Sequence, residues 1–225
     1  MRSIIPDLPV LAVLVILFLY SRSHRSGASV FHRIFRELLA VSILGIILEI
    51  AVFSAENGHL STTSFRILYT FYCASKPLLF ALRVCYGIFR CYAPDMQPIT
   101  RQTRHTFLFY GQFLLLVMTN KLTGLLFVID DNRVITRGML YLPLLLGVPL
   151  VFSVYGLVLT WMHAEHNLTA TEQAGLAALY LLPPAGVILQ LFCRNWPFIS
   201  IAEVLAYVLF LYTLNISVTS KGEAE

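Results

Sequence analysis

Apolar residues run through this chain in seven long stretches, each bounded by a short polar segment. The first covers Ile4 to Tyr20 and gives way to the basic segment Ser21 to Gly27, and the second runs from Phe31 to Ser54 and is closed by Glu56-Asn57-Gly58. The third, Ser64 to Tyr92, differs from the others because it contains Lys76 and Arg83. The remaining four are Phe107 to Thr119, Met139 to Met162, Ala174 to Phe192 and Phe198 to Asn215. A helix crosses the hydrocarbon layer in about 20 mostly apolar residues. The pattern therefore predicts an all-α membrane protein: a seven-transmembrane helix bundle over residues 1–215, with residues 216–225 as a short cytoplasmic tail.

The pattern changes between the fourth and fifth stretches. Leu126-Phe127-Val128-Ile129 and Arg133-Val134-Ile135-Thr136 are β-prone runs on either side of Asp130-Asp131-Asn132. They predict a short extracellular β-hairpin lying over one end of the bundle. Asn120 and Gly124 read as helix-stop residues just before it. Pro77 predicts a bend in the third helix, and Pro183-Pro184 a bend in the sixth that serves either as a hinge or for packing. No internal repeat of the kind built into many transporters is present.

Composition agrees with a lipid environment. Hydrophobic residues make up 58% of the chain and charged residues 12%, against about 25% charged in an ordinary soluble domain. The net charge of +4 is scattered, with no basic tract suited to nucleic acid, so the expected partner is the lipid bilayer. The four cysteines form no CxxC pair and read as small packing residues. Asp7 and Pro9 interrupt the start of the first stretch, which reads as a span and not as a cleavable signal. Eight lysines and arginines fall on the side of the first strong basic cluster and six on the other. Basic loops stay in the cytoplasm, so the expected location is the cell membrane, with the N-terminus outside and the C-terminus cytoplasmic.

Charge inside a span is costly, at least about 2.5–3.5 kcal/mol at the bilayer centre, and is normally paired or placed against a wet cavity. Glu49, Lys76, Arg83 and Glu203 are such residues. In the expected orientation Glu49, Glu203 and Gln190 share the outer half of the bundle, with Lys76 beneath them and the hairpin as a cover. The candidate ligand-binding residues are therefore Glu49, Lys76, Gln190 and Glu203, with Asp130 and Arg137 of the hairpin. Such a layer suits a small polar or zwitterionic ligand arriving from outside. The plain structural alternative is that Lys76 pairs with Glu49 or Glu203 and only holds helices together. The long stem of Arg83 is expected to snorkel to the cytoplasmic headgroups.

Catalytic chemistry is not legible. His163-Ala164-Glu165-His166 sits in a short polar loop and lacks the HExxH spacing that puts two ligands on one helical face. No GxSxG, P-loop or GxGxxG occurs, and the seventh stretch has no lysine for a retinal Schiff base. Neither enzymatic activity nor a metal or cofactor is expected. Asn167-Leu168-Thr169 and Asn215-Ile216-Ser217 fit the glycosylation pattern but fall on the expected cytoplasmic side.

The loop after the fourth stretch carries a family likeness. Asn120, Thr123-Gly124-Leu125-Leu126-Phe127, Ile129-Asp130, Asn132 and Arg137-Gly138-Met139-Leu140-Tyr141 resemble a loop of bacterial seven-helix sensor regions. Those regions precede GGDEF-type diguanylate cyclase domains and, in some proteins, histidine kinases. Gln190 near the end of the sixth stretch is similar too. The resemblance implies an external or membrane-borne stimulus and an output inside the cell. In that family a catalytic domain follows the last helix, whereas here ten residues follow the seventh stretch. The expectation is thus a stand-alone sensor acting through a cytoplasmic kinase or diguanylate cyclase, or the sensor part of a longer protein. A small-solute transporter or permease component is the alternative that also accounts for buried charge.

Overall fold

The structure is a computed structural model and describes residues 7–23, 30–56, 58, 60–92, 96–130, 134–162, 168–193 and 197–222. The predicted turn residues Asp131 and Asn132, Arg133 of the second β-prone run and the His163–Asn167 loop lie outside the described residues. The described residues form α1 (Asp7–Ser23), α2 (Val30–Glu56), α3 (Thr62–Tyr92), α4 (Met96–Thr123), β1 (Phe127–Ile129), β2 (Ile135–Arg137), α5 (Tyr141–Met162), α6 (Ala170–Phe192) and α7 (Phe198–Gly222). Each apolar stretch corresponds to one helix.

Three of these helices are long and apolar enough to cross a membrane: α2 over Arg33–Glu56, α5 and α6. The apolar part of α7, Phe198–Leu214, is shorter. Length is not what separates α3 and α4 from the three; both carry more polar and charged residues. Arg66, Lys76, Arg83 and Arg90 lie in α3, and Arg101, Arg104 and Lys121 in α4.

The largest boundary differences from expectation are in α4 and α7. α4 begins at Met96 and not near Phe107, because its polar first half is a one-sided helix. Ile99 and Thr106 are buried seven residues apart while Gln97, Arg101, Arg104 and His105 are exposed, and Gln102 accepts a hydrogen bond from the Tyr155 hydroxyl of α5. Helix α7 continues through most of the predicted tail, to Gly222.

α3 is the hub. It packs against α2, α4, α5 and, more lightly, α6, while α1 closes the bundle by touching α2 and α7. An aromatic cluster of Phe35, Tyr86, Tyr207 and Phe210 fastens α2, α3 and α7, with ring centroids 5.2 Å apart for Tyr86–Phe210 and 5.4 Å for Phe35–Phe210. α6 and α7 share the most extensive contact, where Gly175 faces Thr213 and Gly186 faces Ala202. Small residues of this kind let membrane helices approach closely. Pro183 and Pro184 are both buried within an uninterrupted α6, so they contribute to packing.

The Tyr180 ring of α6 occupies the space left by Gly87 of α3 and Gly156 of α5. A methyl group on Gly156 would sit 2.6 Å from the ring, whereas one on Gly147, two and a half turns earlier in α5, would meet nothing within 4 Å. Overpacking a tight core costs about 1–3 kcal/mol. Gly156→Ala is expected to lower stability by that amount in detergent thermal unfolding, and Gly147→Ala to leave it unchanged. Equal behaviour of the two variants would contradict this packing.

Candidate functional site

The short hairpin is built on helix ends. Gly124, with φ of 61°, turns the chain out of α4 and donates its N–H to the Asn120 carbonyl at 2.8 Å. This left-handed conformation suits glycine, the usual residue just past a helix end. Asn120, expected as a helix-stop residue, lies inside the last turn of α4 and anchors the hairpin. Its Oδ1 accepts from Leu126 N at 2.7 Å and Phe127 N at 3.3 Å, and its Nδ2 donates to the Phe127 carbonyl at 2.8 Å. β1 and β2 pair antiparallel with Phe127 opposite Arg137. Gly138 follows β2, where any side chain would collide with the Leu125 carbonyl. Phe127 and Ile129 face inward onto Val52, Phe65 and Tyr69, and the Phe127 and Tyr69 rings meet edge to face at 4.7 Å. Arg66 of α3 donates to the Ile129 carbonyl at 3.1 Å. The hairpin is thereby fixed over the ends of α2 and α4 and the starts of α3 and α5.

Beneath it lies a two-chambered cleft. The outer chamber, about 320 Å³, is bounded by Glu56, Tyr69, Arg137, Tyr141 and Gln190, among others. The inner chamber, about 100 Å³, reaches down to Lys76 between Pro77, Phe80, Phe113 and Pro149. Tyr72, Tyr141, Leu145, Val187 and Ile199 line both, so the two adjoin.

The cleft floor opens the most regular feature of the bundle. Lys76, Arg83 and Arg90 recur every seven residues along α3, which places them on nearly one face of the helix, roughly 10 Å apart. Each meets a carboxylate from a different helix. Lys76 Nζ donates to Glu49 Oε2 of α2 at 2.7 Å. Arg83 Nη2 lies 3.1 Å from Glu203 Oε1 of α7, with both side chains about 1% exposed. Arg90 pairs with Glu172 of α6. Arg83 also donates to the Tyr207 hydroxyl at 3.2 Å, which in turn bonds Ser42 of α2 at 2.6 Å. Glu172 has a second role: with Thr169 it forms the capping box that starts α6, its Oε2 accepting from Thr169 N at 3.0 Å.

Of the six candidate ligand residues, three reach the cleft. Lys76 lines the inner chamber, with Glu49 as its partner, and Arg137 and Gln190 line the outer one. Gln190 Oε1 accepts from Ile199 N at 3.2 Å and so satisfies a free donor in the first turn of α7. Glu203 is not in the layer with Lys76; it joins Arg83 deeper in the bundle. Asp130 works within the hairpin, its Oδ1 accepting from Val134 N at 2.8 Å across the turn. Arg83 does not snorkel to the headgroups, because Glu203, Tyr207 and the Phe80 ring hold it in the core. Sequence reasoning missed Arg90, at the end of the third stretch, and Glu172, in the polar segment before the sixth. The seven-residue spacing of the cations and the Thr169-x-x-Glu172 box were the available signals.

No family model matches the chain, and neither a curated protein nor a solved structure matches it.

Proposed function

We propose that this chain is a seven-transmembrane sensor module of the cell membrane, with its N-terminus outside and its C-terminus in the cytoplasm. In this reading it binds a small ligand in the cleft beneath the hairpin. It then signals through a cytoplasmic partner, of which a kinase or a diguanylate cyclase is the kind suggested by the hairpin sequence. One observation carries the reading: the cleft borders the start of α7, where Ile199 and Gln190 line its wall and are bonded to each other. A ligand there touches the helix that leads to the output side. Ile199, Glu203 and Tyr207 follow at four-residue spacing on one face of α7, so a shift at Ile199 bears directly on the buried ion pair with Arg83. Coupling of this kind requires that the ligand bind two bundle states with different affinity.

Lys76→Ala is expected to reduce the cellular response, read as cyclic di-GMP level or partner phosphorylation, more than it reduces the amount of protein in the membrane. Equal loss of response and protein would reduce Lys76–Glu49 to a structural ion pair.

A further inference from the structure

The charges around the cleft are unevenly used. Lys76 is neutralised by Glu49 at 2.7 Å. At the mouth, Glu56 closes α2 and Arg137 closes β2; both are exposed, both line the outer chamber, and neither has an ion-pair partner among the described residues. Arg137 stands over the Tyr141 ring, its guanidinium carbon 5.1 Å from the ring centroid. A visiting anion meets Arg137 but also the like charge of Glu56, and a cation meets the reverse. A molecule carrying both charges satisfies both, with charge-assisted hydrogen bonds at each end.

The inner chamber sets a further requirement. Its walls are almost wholly apolar, with Pro77, Phe80, Phe113 and Pro149 around it. A dry apolar cavity of about 150 Å³ holds a benzene ring. The inner chamber, at about 100 Å³, is smaller, so it takes a short branched aliphatic group and excludes an indole.

We propose that the ligand is a small zwitterion bearing a short aliphatic side group, of which an α-amino acid of the leucine type is the simplest member. Its carboxylate lies at Arg137, its ammonium at Glu56, and its side chain enters the chamber above Lys76. This assignment rests on the reading of the cleft as the input site.

The test uses the full chain in lipid nanodiscs and equilibrium binding of radiolabelled L-leucine. Isocaproate lacks the ammonium, isoamylamine lacks the carboxylate and glycine lacks the side group, and all three serve as competitors. Leucine is expected to bind saturably and each competitor about tenfold or more weaker, the loss that follows from one charge-assisted contact or one buried aliphatic group. Glu56→Gln and Arg137→Gln, at exposed positions, are expected to weaken leucine binding by a similar factor without lowering thermal stability. Leu145→Trp, which fills the cleft, is expected to abolish it. Isocaproate or isoamylamine binding as well as leucine, and still blocked by Leu145→Trp, would overturn the zwitterion while leaving the cleft as a site. Leucine binding that Leu145→Trp does not affect would overturn the placement. No binding of any of the four compounds would overturn the ligand class, with the input-site reading then decided separately by the Lys76→Ala response.

Discussion

Arg83→Met is expected to cost about 3–5 kcal/mol of stability, because breaking a buried ion pair from one side leaves the other charge unpaired in the core. Glu203, about 1% exposed, has Arg83 as its ion-pair partner and loses it. The Tyr207 hydroxyl also loses a donor, which loosens the link through Ser42 to α2. Removing both charges together, in Arg83→Met with Glu203→Met, is expected to restore most of the stability, since a buried pair replaced by apolar residues of similar size is often neutral. Unfolding of the four species in detergent micelles completes the cycle. A harmless single substitution would place Arg83 at the headgroups after all.

The second large effect is local. Asn120→Leu removes the side chain that holds Leu126 N, Phe127 N and the Phe127 carbonyl, all in a buried corner. Each buried backbone group left without a partner costs about 1–3 kcal/mol. The hairpin is expected to open while the helices stay packed, because the main core of Phe35, Tyr86, Tyr180 and Phe210 lies apart from the hairpin cluster. Amide hydrogen exchange reads this directly, with much faster exchange expected at Leu126 and Phe127 and unchanged protection in α6. Unaltered exchange at the hairpin would mean that strand pairing and the Phe127–Tyr69 contact suffice without Asn120.

Much of this architecture was legible because apolar helices and hairpins write themselves locally. The seven apolar stretches located the helices, and the β-prone runs around Asp130 located the hairpin. Depth was not legible. Arg83 lies in the last third of α3 and Glu203 in the second turn of α7, so counting from helix starts sends them to opposite faces of the membrane. They meet because α3 extends well beyond the start of α7 to carry Phe65 and Tyr69 under the hairpin. Ile199, at the beginning of α7, therefore lies level with the cleft near Tyr72 and Lys76. The same cause separated Glu203 from the candidate layer. Glu172 was hidden by another effect: a polar helix start that caps itself, as Thr169 and Glu172 do, looks like a loop when only hydropathy is read.

The most direct test of the sensor reading is to place a photoreactive residue near the C-terminal end of α7, crosslink in native membranes and identify the products by mass spectrometry. A cytoplasmic kinase or diguanylate cyclase, captured in amounts that change in the Lys76→Ala variant, is the expected result. Repeated failure to capture any signalling protein, with solute flux in proteoliposomes containing the chain, would contradict the sensor and establish a transporter in its place.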